Sequence, residues 1–190
     1  MRKCAAKGCQ NRFTPRSITH KACDSLDCAV AIVESEKEKQ QRHAIKTERA
    51  KDTVKRESLK SLSDWIKDLQ VIFNRFIRLR DQLAGHHCIS SDRPLNWTGN
   101  ETDAGHYRSR GSAPHLRFNE DNCHAQSKKD NRYGAGNAVE YRIGLIKRIG
   151  IERVEALESN NSPRKYTIDE LRTMKAYYQT KIKEMKVKIL

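Results

Sequence analysis

Apolar residues recur at helical spacing over the middle and the end of the chain, and lose that order in between. Residues 29–83 contain neither Gly nor Pro and are dominated by good helix formers, which predicts helix throughout. Residues 34–57 are mostly charge and glutamine, as in a solvated helix or a flexible arm. From Leu59 the pattern sharpens to Leu59, Leu62, Ile66, Leu69, Phe73 and Phe76, in alternating steps of three and four. Such a stripe buries against the chain's own core or against a partner helix. At Gly85 the repeat stops, and Gly, Pro, Asn, His and aromatics predict short loops and strands through residue 118. Helix signals return near Ala125, and residues 138–149 form an amphipathic segment through Val139, Ile143, Ile146 and Ile149 that Gly150 ends. A short helix over residues 151–157 and a turn at Asn160, Asn161, Ser162 and Pro163 follow. Thr167 and Glu170 then make a capping box for a last helix carrying Ile168, Leu171, Met174, Tyr178 and Ile182. Its basic end (Lys181, Lys183, Lys186, Lys188) complements the helix dipole.

Composition narrows the class. Of 190 residues, 36% are hydrophobic and 33% charged, too polar for one large core and suited to small modules and half-exposed helices. Lys and Arg outnumber Asp and Glu 38 to 24, a net charge of +14. That excess attracts polyanions, nucleic acid above all, because phosphate neutralisation releases counterions. Charge alone leaves open a basic protein with no nucleic-acid role. No apolar run approaches the roughly 20 residues of a membrane span, and the N-terminus lacks the apolar segment of a signal peptide. The expected location is therefore the cytoplasm, with no membrane partner. In that reducing setting, paired cysteines point to metal before disulfide.

Four of the six cysteines form two pairs, Cys4 with Cys9 and Cys23 with Cys28, each separated by four residues. Four thiolates in two pairs can close tetrahedrally around Zn²⁺, and the metal would supply much of the folding energy of so small a piece. The spacing is looser than a two-residue knuckle, so unliganded structural cysteines are the alternative. The organisation expected is a zinc-binding module over residues 1–33 and a charged, then amphipathic, helical segment over 34–84. A core over 85–150, in which the chain's functional chemistry lies, and C-terminal helices over 151–190 complete it.

Functional chemistry concentrates between His86 and Asn137. Phosphodiester hydrolysis needs a base to deprotonate water and a cation to stabilise the phosphorane and the leaving oxygen. An HNH, or ββα-metal, arrangement supplies both: a histidine on a hairpin strand, an asparagine in the loop that orients it, and a His or Asn on the following helix. His106 is the candidate base, Asn122 follows sixteen positions later and Asn131 nine after that. Where many such sequences carry Cys-x-x-Cys knuckles, this one has Cys88 and Ser91, then Ser127 and Asp130, which argues against a second zinc. Asp103 is a candidate ligand for the catalytic ion or a brace for the hairpin. In the usual pattern the acid directly precedes the histidine, where this chain has Gly105. Asn119 reads as a turn residue, His115 as a surface one, and Asn137 and Glu140 as ties between helix start and hairpin. Arg108 and Arg110 are candidate phosphate clamps, and Lys128, Lys129 and Arg132 extend that DNA-binding set.

The run DAGHYRSRGSAPHLRFNEDNCHAQSKKDN, then GNAVEYR and IGIERVEALE, resembles the phage NinG/Rap family of recombination endonucleases. The N-terminal cysteine pairs with Phe13-Thr14-Pro15 are similar too, so the resemblance spans essentially the whole chain. It implies a metal-dependent nuclease for branched recombination intermediates, Holliday junctions and D-loops. His106 would be its catalytic histidine, Asn122 and Asn131 the later motif positions, and Asp103 the acidic position. The expected fold is α+β and predominantly helical, with a small ββα-metal core, helical flanks and an N-terminal zinc module. Mg²⁺ or Mn²⁺ is the expected catalytic ion. A homodimer is expected as well, since symmetric resolution of a junction needs two sites about a two-fold axis, and the stripe ending at Phe76 is a candidate pairing surface. Two rivals stand: a non-catalytic zinc-dependent DNA-binding protein on a degenerate HNH scaffold, and an interaction protein pairing through a coiled coil.

Overall fold

The long Gly- and Pro-free segment folds as two helices in the computed structural model, which describes residues 1–133 and 136–187. Helix α1 (Leu26–Ser58) ends just before Ser61, whose hydroxyl accepts from the Asp64 N–H while the Asp64 carboxylate accepts from the Ser61 N–H. This capping box starts helix α2 (Leu62–Leu83) afresh. The chain divides at that break into two compact units, residues 1–60 and 61–190. Among the described residues no helix is long and apolar enough to cross a membrane. Lys188, expected to complement the last helix, lies outside the described residues.

In the first unit, strand β1 (Arg2–Lys3) pairs antiparallel with β2 (Arg12–Phe13). Cys4, Ala6, Phe13 and Cys23 are its buried centre, with Cys9, Cys28 and Ile32 packed beside them. Helix α1 buries none of its 33 residues, as its charged composition dictates. The expected module boundary at residue 33 falls inside this helix.

The second unit is built on an antiparallel hairpin, β3 (Thr102–His106) with β4 (Cys123–Ser127), in which Gly105 faces His124 and His106 faces Cys123. Helices α3 (Ala138–Ile149), α4 (Ile151–Ser159) and α5 (Ile168–Val187) follow. The helix expected near Ala125 is strand β4: Ala125 is fully buried opposite Ala104, and tertiary pairing outweighs local propensity. The α2 stripe is core. Leu69, Phe73, Phe76 and Ile77 pack with Leu171, Tyr178 and Ile182 of α5 and with Phe118. At roughly 1.5–3 kcal/mol per buried side chain, this is the main cohesion of the unit. The stripe is therefore not free to pair with a second chain. Leu59 and Leu62 lie outside it, 77% and 43% exposed: Leu59 caps the end of α1, and Leu62 is the first residue of α2.

A smaller core joins α3 and α4 through Tyr141, Leu145, Val154 and Leu157 to Ile89, Ala113 and Leu116. The buried stripe of α3 is rotated from the one expected: Val139 is 72% and Ile143 46% exposed. Two tertiary contacts set the rotation. The Tyr141 hydroxyl donates to the Gly105 carbonyl at 2.9 Å, and the bare Cα of Gly144 admits the Ile89 carbonyl where a Cβ would collide. Gly150, at φ 85°, turns α3 directly into α4. Asp81, buried in α2, accepts from the Ala125 N–H at 2.6 Å and from Arg80 Nε at 2.7 Å, with Arg148 3.6 Å away. One carboxylate thus joins α2, β4 and α3.

Candidate functional site

The end of β3 opens into a cavity of about 510 Å³ lined by Asn74, Asp103, His106, Arg110, Asn131 and Arg132. Asp103 and His106, both on β3, are joined there by Asn131, which lies twenty-five positions beyond His106. The His106 Nε2 lies 2.9 Å from the Arg117 carbonyl oxygen and can only be the donor, so Nδ1 carries the lone pair. The Cys123 thiol, a weak donor, lies 3.7 Å from Nδ1. Burial lowers the imidazole to about 4, aided by the Arg110 and Arg117 charges and opposed by the bond to the Arg117 carbonyl. At neutral pH the ring is neutral and able to accept a proton.

Asn122 does not touch that ring. Its fully buried amide accepts from the Arg108 N–H at 2.8 Å and donates to the carbonyls of Arg108 at 3.0 Å and Leu116 at 3.2 Å. It closes the loop between the strands, and Arg117, from the same loop, holds the imidazole. The direct bond from Asn122 to the imidazole that the sequence leads one to expect is absent among the described residues; the ring's Nε2 bonds the Arg117 carbonyl instead. Sequence reasoning missed Arg117 because its part is played by a carbonyl, which every residue has.

Asn131 sits in a short π-helical turn, Lys129–Tyr133, and its Nδ2 donates to Asp103 Oδ2 at 3.0 Å. Arg132 Nε donates to the same oxygen at 3.0 Å. Burial raises the Asp103 carboxyl, but these two bonds outweigh it and hold the group below its ordinary value, ionised at neutral pH. Gly105, between Asp103 and His106, cannot carry a side chain as the hairpin stands: a Cβ would run into Gln126 on β4. Gln126 is itself fixed by bonds to the Ser90 hydroxyl at 2.6 Å and the Gly136 carbonyl at 2.8 Å.

The basic residues separate. Arg110 is exposed on the cavity rim. Arg108 is not a free phosphate clamp: its guanidinium donates to the carbonyls of Leu157, Glu158 and Asn160 and to Asn161 Oδ1, at 2.8–3.2 Å. The last turn of α4 leaves the Leu157 and Glu158 carbonyls without helical partners, and Arg108 satisfies them. Lys128 donates to the Asn100 carbonyl, and Lys129 is exposed. His115 bonds the Asn160 carbonyl, and Asn119 forms a turn through bonds from Asp121 and Asn122. Asn137 opens α3 in the left-handed region with no side-chain cap hydrogen bond.

The knuckle-like positions converge on one another. Asp130 Oδ2 accepts from Cys88 Sγ at 3.3 Å, Ser91 Oγ at 2.9 Å and Ser127 Oγ at 2.7 Å. The Ser127 N–H points at Cys88 Sγ at 3.2 Å. A carboxylate with three donors stands where four thiolates would surround an ion.

In the first unit, the ligand atoms of Cys4, Cys9, Cys23 and Cys28 all lie within 4.8 Å of one another and could hold a metal ion such as zinc. Backbone N–H groups of Ala6 and Cys23 lower the Cys4 thiol to about 7, whereas the crowding thiols of Cys23 and Cys9 push Cys28 up to about 12. Four thiolates this close need a cation between them. No other group of three or more His, Cys, Asp or Glu side chains converges in this way among the described residues.

The family model described as "Bacteriophage Lambda NinG protein" matches residues 1–188. Protein ninG of Escherichia phage lambda is 37% identical over 196 aligned positions, covering 97% of this chain and 93% of that protein. Protein ninG of Salmonella phage P22 is 36% identical over 97% of this chain and 94% of its own length. Protein ninG of Escherichia phage 933W is 43% identical over 133 positions, 70% of this chain and 64% of that protein. No solved structure matches the chain.

Proposed function

The chain belongs to the phage NinG family, and on that premise we propose that it is a metal-dependent endonuclease acting on branched recombination intermediates, Holliday junctions and D-loops. The observation that carries this reading is the neutral, half-buried His106, tethered through Nε2 and sharing a cavity with Asp103, Asn131 and Arg110. In this reading His106 takes the proton of a water that attacks phosphorus, the P–O3′ bond breaks, and the leaving 3′-oxygen is protonated from solvent. Arg110 clamps a phosphate, and Arg117 holds the imidazole through its carbonyl. Lys128 and Lys129 lie along the flanking backbone.

Asp103 and Asn131 are the residues that would hold Mg²⁺ or Mn²⁺. They offer oxygen donors and no third protein ligand, which suits ions that keep waters and take substrate phosphates. Such an ion, when bound, supplies Lewis-acid stabilisation of the charge that develops on phosphate. The cysteine cluster would hold a structural Zn²⁺. The enzyme would work in the host cytoplasm as a homodimer, pairing through a surface other than the α2 stripe. One observation favours a second reading, a non-catalytic zinc-dependent DNA-binding protein: Arg132 occupies the Asp103 oxygen that a metal would need.

The deciding experiment is cleavage of a four-way junction beside matched linear duplex, with and without Mg²⁺, by wild type and His106→Ala. Metal-dependent cutting of the junction, slowed on the order of 10²–10⁴-fold in the variant, is expected. Equal rates for wild type and variant would remove His106 as the base. Equal cutting of duplex would reduce the protein to a non-specific nuclease, and no cutting at all favours the second reading.

A further inference from the structure

A second, smaller cleft lies along the same helix. It has a volume of about 170 Å³, is lined by Arg75, Arg78, Asn96, Trp97, Thr102 and Lys186 among others, and has no acidic residue in its wall. Arg75 and Arg78 stand about one turn apart on α2. Neither they nor Lys186 has an ion pair or a hydrogen-bonded side-chain partner among the described residues, although Arg80, Arg132, Arg142, Arg148 and Arg153 are all paired. Trp97 is half-buried and makes no ring-stacking or cation–π contact among the described residues. The other tryptophan, Trp65, is 2% exposed and lies under Arg172 and Lys175.

The turn that presents Trp97 is braced on both sides. Asn96 Oδ1 accepts from the Thr98 N–H at 3.0 Å and its hydroxyl at 2.7 Å, Asn96 Nδ2 donates to Glu101 at 2.8 Å, and the Thr102 hydroxyl donates to the Asn96 carbonyl at 2.7 Å. A ring held this way loses little freedom on stacking. The cleft is also next to the His106 cavity in the chain: Asn74 and Asp103 line the cavity, and their neighbours Arg75 and Thr102 line the cleft.

We propose that this cleft binds one unpaired nucleotide of single-stranded DNA, its base stacked on Trp97 and its flanking phosphates on Arg75, Arg78 and Lys186. A planar aromatic face beside unpaired cations is the chemistry that holds a strand whose bases are not engaged in a duplex. The site distinguishes branched from linear DNA, because only branch points and displaced strands offer such a base. This inference rests on the DNA-binding part of the proposed function and not on cleavage.

The test uses the full chain carrying His106→Ala, without added Mg²⁺, titrated with an oligo-dT strand, a blunt linear duplex and inorganic polyphosphate at near-physiological salt. Because Trp65 is buried, quenching of the indole emission reports Trp97. Oligo-dT should quench, and duplex and polyphosphate should not. By anisotropy of labelled oligo-dT, Trp97→Ala should bind roughly five- to 150-fold more weakly, the effect of one stacked base, and Trp97→Phe should recover most of it. Arg75→Gln with Arg78→Gln should lower the salt slope by about 1.4, two phosphates on a single strand. Equal quenching by polyphosphate or duplex, or unchanged binding by Trp97→Ala with its native circular dichroism intact, overturns the site. Quenching by oligo-dT from a chain whose wild type cuts no junction leaves this site standing and removes the nuclease. Junction cutting by a wild type that shows no quenching removes only this site.

Discussion

Removing the Asp130 carboxylate should destabilise the second unit and leave the first untouched. Asp130→Ala deprives the Ser91 and Ser127 hydroxyls, bonded to Oδ2 at 2.9 Å and 2.7 Å, and the buried Cys88 thiol at 3.3 Å, of their common acceptor. Hydrogen bonds to a charged group contribute about 1.5–3 kcal/mol each. Two of them at the low end, in a half-exposed setting, give a loss of about 3 kcal/mol. Both tryptophans lie in the second unit, so urea unfolding followed by indole emission reads that unit, and the midpoint multiplied by the slope gives the difference. The converse experiment restores thiols: Ser91→Cys, Ser127→Cys and Asp130→Cys complete, with Cys88, two pairs at two-residue spacing. One additional zinc per chain is expected by elemental analysis. A chain that loses less than about 0.5 kcal/mol in Asp130→Ala, a surface-sized effect, and whose triple-cysteine variant takes up no added zinc would refute the reasoning.

Three other outcomes follow from the same geometry. The folded imidazole of His106 sits at about 4 against about 6.5 unfolded, so its stabilisation is complete above pH 6.5 and is lost as pH falls toward 4. The loss is about 3 kcal/mol at most, and His106→Gln should show a correspondingly flatter decline of urea stability between pH 7.5 and 4.5; parallel curves would mean that the ring is not held neutral. Asn122→Ala should slow junction cleavage less than His106→Ala while lowering the thermal midpoint, because its amide bonds close the loop whose carbonyl holds the ring; loss of rate with an unmoved midpoint would return Asn122 to direct contact with the chemistry. Replacing both Cys4 and Cys9 by Ser should release the zinc measured in wild type, and a full equivalent retained by the variant would relocate the metal.

Much of the candidate site was legible because its signals are side-chain types at fixed spacings. The two cysteine pairs converge as thiol spacing predicts, and His106, Asp103 and Asn131 meet at one cavity. What stayed hidden depends on tertiary contacts. Arg108 looks like a phosphate clamp until the last carbonyls of α4 are beside it. The phase of α3 follows from the Tyr141 hydroxyl and the Gly144 contact, both with segments more than thirty residues away, and apolar periodicity alone chose the wrong face. Ala125 is a good helix former in a strand because Ala104 faces it. The break at Ser61 was written in the sequence as a capping box, but the lack of Gly and Pro across residues 29–83 masked it. Trp97 sits in a stretch with no period at all.

The interlock of Gly105 with Gln126 constrains how such a hairpin can change over time. Alternation along β3 puts Asp103 on the same face as position 105, one pleat repeat of about 7 Å further from His106. A carboxylate introduced at 105 would have to displace Gln126 and break its bonds to Ser90 and Gly136 before any new ligand could act. The first step on that route costs stability and the second only repays it, so neither substitution is favoured alone. A side chain at position 105 is therefore compatible with this hairpin only together with a change at position 126 on the opposite strand.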